Sequence, residues 1–218
     1  MPRNTLTAEQ IVRAAIELLD SEGLDGLNMR SLGQRLGSAA TAIYWHIKTK
    51  DDLVRLAGDA IWDEIGLPDP DADWRTAATA LATGMHAMLT RHPWFGQAAG
   101  GYLLYGRGKS RFDEHTIAAY EKAGFAPADA DRAAATVFVF VLGSALGPAM
   151  EVSLTRRLTH AALQDAVART HEIASEFPRL RERLDTPAAV GYADAPEGSF
   201  EFGLRAILDG FEARLSSR

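Results

Sequence analysis

The stretch Met29-Arg30-Ser31-Leu32-Gly33-Gln34-Arg35-Leu36-Gly37-Ser38-Ala39-Ala40-Thr41-Ala42-Ile43-Tyr44-Trp45-His46-Ile47-Lys48-Thr49-Lys50 decides the fold. Asn28 can cap a short helix whose Leu32 and Leu36 repeat at i, i+4, and Gly37 breaks it. Ala39 to His46 reads as a third short helix, and a fourth runs from about Lys50 to Ile65. Upstream, Thr7-Ala8-Glu9-Gln10 reads as a capping box for a first helix. That helix places Ile11, Ala15, Leu18 and Leu19 on one face, and Gly23 supplies its left-handed stop. Short helices joined by tight glycine turns are a helix-turn-helix signature.

The residue types suit that motif. A recognition helix enters the major groove and shows a few amino-terminal side chains to the base edges. Small residues at Ala39, Ala40, Thr41 and Ala42 allow close approach, with Ser38 as the short polar residue just before them. Thr41 offers a hydroxyl, and the alanine and threonine methyls can pack on thymine methyl groups. Tyr44 and His46 can donate to phosphate from the far end of the helix, and Lys50 places a cation at the start of the next. The amino terminus of that next helix is itself expected to favour phosphate. Arg30 is the best single candidate for reading a base. Trp45 is expected in the core with Ile43 and Ile47.

Beyond this unit the pattern stays helical, so the expected fold class is all-α. Leu67 to Asp73, Leu-Pro-Asp-Pro-Asp-Ala-Asp, cannot continue a helix and marks a junction. Helices are expected at about 74–91, 111–123, 128–154, 160–176 and 200–215. A loose, glycine-rich stretch at 96–108 and a mobile one at 185–198 lie between them. Ala133 to Met150 is an 18-residue run without a charge. Its small residues and Pro148 fit a core or dimer helix better than a membrane span, so no membrane is expected as a partner.

The chain has 218 residues and a net charge of −6, which at face value argues against a surface coated for nucleic acid. The distribution reverses that reading, because residues 1–50 sum to +1 and residues 51–218 to −7. With no cysteine, disulfides, thiolate metal sites and cysteine nucleophiles are excluded. No apolar signal-peptide core follows Met1-Pro2-Arg3-Asn4-Thr5, so a cytoplasmic location is expected.

Enzyme chemistry finds no foothold. The six histidines include no pair four residues apart, and neither Glu-x-x-His nor Gly-x-Ser-x-Gly occurs. Gly106-Arg107-Gly108-Lys109-Ser110 has the tail of a phosphate loop, but Leu103 stands where the first glycine belongs. No enzyme activity, metal or cofactor is expected.

Met29 to Leu53, with its Tyr44-Trp45-His46 core followed by Lys50 and Leu53, closely resembles the DNA-binding domain of the TetR family of bacterial transcriptional repressors, in its tetracycline-repressor-like branch. More weakly, Asp73-Trp74-Arg75, Arg91-His92-Pro93-Trp94 and Phe200-Glu201-Phe202-Gly203-Leu204 resemble that branch's C-terminal domain. The resemblance implies an N-terminal helix-turn-helix domain at 1–50 and a connecting helix at about 50–66. A larger α-helical ligand-binding and dimerisation domain would span 67–218. It implies double-stranded operator DNA and a small-molecule effector as partners. A homodimer would form through the helices near 133–154 and 200–215. The expected function is a ligand-responsive repressor released from DNA by its effector; the alternative is an all-α ligand carrier or enzyme that keeps the helix-turn-helix only as structure.

The long apolar and aromatic residues of the lining helices are the pocket candidates. They are Ile61 and Ile65; Met85, His86 and Met88; Phe95, Tyr102 and Tyr105; and Phe112, Tyr120, Phe138 and Met150. His86 is the one expected polar anchor. The branch's magnesium–drug ligands would fall near Gly66, Leu81, Ala99–Gly101 and Gly147, none of which carries an imidazole, amide or carboxylate; Glu151, one helical turn away, is a weak substitute. A mostly apolar effector is therefore expected.

Overall fold

A computed structural model describes residues 6–184 and 198–217. They form eleven α-helices and one 3-10 turn, with no strand among the described residues. The expected mobile segment 185–198 lies, except for Gly198, outside the described residues.

Four helices make the amino-terminal unit: α1 (Ala8–Gly26), α2 (Met29–Leu36), α3 (Ala40–Tyr44) and the start of α4 (Lys50–Ala60). Each start has a local cause. The Thr7 hydroxyl accepts from the Gln10 amide while the Gln10 side chain accepts from the Thr7 amide. Asn28 Oδ1 accepts from the Arg30 and Ser31 amides, fixing the first turn of α2. Gly37 ends α2 in the left-handed region at φ 59°, where a side chain would be strained. A methyl on Gly33 would stand 2.8 Å from the Ser38 carbonyl oxygen, so the approach of α2 to the start of α3 requires glycine there. Gly23 leaves the helical conformation at φ 73° and ψ −172°, as the expected stop requires, and a short further helical piece runs to Gly26. Ile11, Leu18, Leu32, Ile43, Ile47 and Leu53 close the core of the unit.

Helix α4 continues through the 3-10 turn Ile61–Glu64 into the larger unit. There α5 (Trp74–Arg91), α7 (Arg107–Lys122) and α8 (Pro127–Arg157) pack on one another most extensively. The short α6 (Trp94–Ala99) packs against both α1 and α8. Helices α9 (His160–Ser175) and α10 (Pro178–Arg181) are mostly exposed, and α11 (Ser199–Ser216) lies along α8 and α5.

Two elements differ from expectation. Helix α6, beginning at Trp94, runs four residues into the stretch 96–108 read as loose, and α7 begins four residues earlier than Arg111. Both have tertiary causes. Trp94 Nε1 donates to Asp20 of α1 at 2.8 Å, anchoring α6. Asp59 Oδ1 of α4 accepts from the Lys109 amide at 3.1 Å, capping α7 from another helix.

Among the described helices, α8 alone is long and apolar enough to cross a membrane. Its inner face carries Ala133, Val137, Val141 and Ala145 into the core, while Val139, Leu146, Met150 and Leu154 are exposed. Gly143 lies on that outer stripe with nothing of this chain within 4 Å of a methyl placed on it. On α11, Phe202, Ala206, Gly210 and Ala213 make a matching exposed stripe.

Candidate nucleic-acid interface and effector core

The helix-turn-helix residues are brought together on one outer end of the molecule. Arg30, Thr41, Tyr44 and His46 are exposed, and Ser38, Ala40, Ala42 and Lys50 are half-buried. Helix α3 is short because only Ile43 and Ile47 face the core. Its N-cap Ala39 supplies no side-chain acceptor, and the Ser38 hydroxyl instead donates to the Leu36 carbonyl.

Trp45 corrects the expectation of a core residue. It is 82% exposed, at the C-cap of α3 beside exposed Tyr44. Ile43 and Ile47, four residues apart, take the inward positions, and Trp45, two residues from each, falls on the opposite side.

The cations at this end are partly engaged. Lys50 Nζ donates to the Leu24 carbonyl at 2.7 Å, tying α4 to the end of α1. Lys48 Nζ donates to the Tyr44 carbonyl at 2.9 Å. The start of α4 also differs from the open phosphate site expected. Thr49 Oγ1 accepts from the Asp52 amide at 3.0 Å, and Asp51 and Asp52 in the first turn offset the positive end of the helix.

In the larger unit, α5, α7 and α8 enclose a cavity of about 20 Å³. That is room for one water molecule. Of the expected pocket residues, Met85, Phe112, Tyr120 and Phe138 line it. Burial of Tyr120 pushes its phenol well above the ordinary value. Ile61, Ile65, Met88 and Phe95 are buried but do not reach it, and Tyr102 is half-buried outside it. Tyr105 and Met150 are 55% and 60% exposed and do not line this cavity. His86 is not a polar anchor there either: it stacks on Phe200 of α11 with ring centroids 4.0 Å apart. Burial lowers its pKa against the opposing charge of Glu201. An open groove lined by His160, Val167 and His171 has all its walls on α9 and encloses nothing.

Two residues not singled out as pocket candidates pack on the rings of this core. Trp62 is buried, stacks on Phe138 at 6.4 Å and tilts against Phe112 at 4.9 Å. Lys109 places its ammonium 4.8 Å from the Phe138 ring centre and 5.1 Å from that of Trp62. The signal for Trp62 was hidden by the 3-10 turn. Its tighter winding brings Ile61, Trp62 and Ile65 all inward, where an α-helical reading takes Ile61 and Ile65 alone.

The two units meet at a buried polar joint. His92, 3% exposed at its side chain, puts Nδ1 2.7 Å from Asp20 of α1 and Nε2 3.1 Å from Glu64 of the 3-10 turn. Burial alone would lower its pKa. The hydrogen bonds and charges of Asp20 and Glu64 outweigh burial and hold it above the ordinary value. Arg91 pairs with Glu64, and Arg156 of α8 donates to the Asp20 carbonyl.

A site for a magnesium-held ligand does not fit these residues. Gly66, Leu81, Ala99, Gly100, Gly101 and Gly147, to which the resemblance points for such ligands, carry no donor atom on any side chain. Among the described residues no group of three or more His, Cys, Asp or Glu could hold a metal ion.

Comparison with known proteins agrees with this architecture. The family described as bacterial regulatory proteins, tetR family, matches residues 11–57, and the tetracyclin repressor-like C-terminal domain matches residues 67–215. An HTH-type transcriptional regulator of Saccharopolyspora erythraea is 36% identical over 213 residues, covering 95% of this chain and 85% of the relative. The class A tetracycline repressor of Escherichia coli from transposon 1721 is 29% identical, covering 96% and 92%. The crystal structure of the Streptomyces coelicolor TetR family protein ActR in complex with actinorhodin superimposes with a TM-score of 0.74 at 26% identity, covering 97% of each chain. The chain belongs to the TetR family of bacterial transcriptional regulators.

Proposed function

We propose that the protein is a homodimeric, ligand-responsive repressor, acting on operator DNA in the cytoplasm and without catalytic activity of its own. The observation that carries this reading is one continuous element. Residues 50–64 begin at the helix-turn-helix and end with Trp62 in the aromatic core, so one rod touches both the DNA end and the effector core. The relatives named as regulators and repressors, and ActR with its bound actinorhodin, support the same reading. Arg30, Ser38, Ala40, Thr41, Ala42, Tyr44, His46 and Lys50 are the proposed DNA contacts. The exposed stripes of α8 and α11 are the proposed twofold interface: α8 mixes large apolar residues with Gly143, and α11 sets Phe202 beside Ala206, Gly210 and Ala213, which allow close helix pairing.

The effector is a mostly apolar molecule entering between α5, α7 and α8. A 20 Å³ cavity holds no such molecule without movement of its walls, so binding and conformational change are one event. The same observation favours a second reading, a constitutive DNA binder with no effector. Operator selection from random DNA, followed by a screen for compounds that release the selected duplex, separates the two. A selected palindromic site released by an apolar compound supports the proposal. No selected site overturns it, and a site that no compound releases favours the constitutive binder.

A further inference from the structure

Lys109 does not behave as a surface lysine. Its side chain is 13% exposed, and four rings surround its ammonium: Phe138 at 4.8 Å, Trp62 at 5.1 Å, and Tyr105 and Phe112 each at 5.9 Å. All lie within the range at which the negative face of an aromatic ring attracts a cation. Asp113, one turn along α7, is its carboxylate partner. The box therefore combines aromatic faces and an acid, which is the chemistry that selects an organic ammonium. Here a side chain of the protein fills it.

The box adjoins the cavity. Phe112 and Phe138 belong to both, each a ring beside the Lys109 ammonium and a wall of the cavity. On the outer side, Tyr105 is exposed, so the box reaches the surface. Beside it, Trp62 Nε1 is buried and has no hydrogen-bond partner. A buried donor without an acceptor is destabilising, and an oxygen of a bound molecule would relieve it.

We propose that this box is the cation-binding end of the effector site. The effector is a protonated amine on a largely apolar, ring-bearing body, and its ammonium replaces that of Lys109 between Trp62 and Phe138. This rests on the ligand-responsive reading above and adds the charge of the ligand. The Lys109 stem swings outward past Tyr105, and Asp113 keeps a cationic partner throughout. A carbonyl oxygen elsewhere on the effector accepts from Trp62 Nε1. An anionic effector would meet ring faces of the wrong sign and would compete with Asp113 for the one ammonium. Displacing a long, flexible side chain also opens space that the small cavity lacks.

Three fluorescent probes of one shape test this on the full-length protein without DNA: 9-(methylaminomethyl)anthracene, charged at neutral pH; 9-(methoxymethyl)anthracene, uncharged; and anthracene-9-carboxylate. The amine is expected to bind at least about tenfold tighter than the ether, with the carboxylate weakest. Lys109→Met, which keeps the stem and removes the competing charge, should strengthen amine binding at least about threefold, and Asp113→Asn should weaken it about tenfold while leaving the ether unchanged. Lys109→Gln, checked by melting temperature, replaces the methionine variant if that does not fold. Equal or tighter binding of the ether or the carboxylate overturns the proposal, as does weaker amine binding by the Lys109 variant. Absence of binding by all three probes overturns it too. Operator release distinguishes the levels: release by the ether as readily as by the amine sinks the cation site and leaves ligand-responsive regulation standing.

Discussion

Replacing His92 by glutamine probes the joint between the two units. The imidazole bonds Asp20 through Nδ1 and Glu64 through Nε2, so its protonated form donates at both ends. Glutamine retains one amide donor for one carboxylate and carries no charge. The loss is one charge-assisted hydrogen bond, about 1.5–3 kcal/mol. It falls short of the ~3–5 kcal/mol of a severed buried ion pair, because Trp94 still donates to Asp20 and Arg91 still pairs with Glu64. For a chain of this size that lowers the melting temperature by roughly 3–12 °C.

The pH dependence of that loss separates charge from packing. The folded pKa of His92 lies above its unfolded value near 6.5. Its stabilisation is therefore fully present below about pH 6.5 and is lost as pH rises through the raised folded pKa. Thermal denaturation of both proteins from pH 5.5 to 9 should show a gap that is widest at the acid end and narrows upward. A gap of constant width would assign His92 a packing role only. A gap that widens with pH would refute the protonated bridge.

Three further outcomes follow from other residues. Arg30→Ala should weaken operator binding by about 1–3 kcal/mol and relax preference at one base pair, read by anisotropy with base-substituted duplexes; a loss uniform across sequences assigns Arg30 to phosphate instead. Asn28→Ala removes the acceptor of two amides at the start of α2 and should destabilise the protein by about 1–2 kcal/mol in urea denaturation. Gly143→Glu places a charge where this chain has no neighbour, so helical content should persist while sedimentation shows the dimer dissociating; an intact dimer would exclude the α8 stripe from the interface.

Where local chemistry decides, the fold can be read from the chain. The capping box at Thr7, the cap at Asn28 and the apolar spacing of 74–91 all depend on neighbours within four residues, and the helices begin where those signals stand. Reading fails where a distant residue supplies the cause. Helix α7 starts at Arg107 because Asp59 accepts from the amide of Lys109, fifty residues further along the chain. The short α6 survives beside several glycines because Trp94 is held by Asp20. The helix-turn-helix residues gather at one end because their order along three short helices sets their place. The effector core is harder, since apolar spacing marks burial alone and cannot tell a cavity wall from ordinary packing. Met85 and Met88 carry the same signal, yet only the first reaches the cavity.

The segment from Lys50 to Glu64 also sets a mechanical scale. Eleven α-helical residues at about 1.5 Å each give an arm of roughly 16 Å between the head and the aromatic core. A tilt of about 10° at the core end carries the head end through roughly 3 Å, and twofold symmetry doubles that between the two heads. Against a half-site spacing near 34 Å, a mismatch of about 6 Å is close to two base-pair steps. A tilt of that size would put two recognition helices out of phase with the groove without any unfolding of the protein.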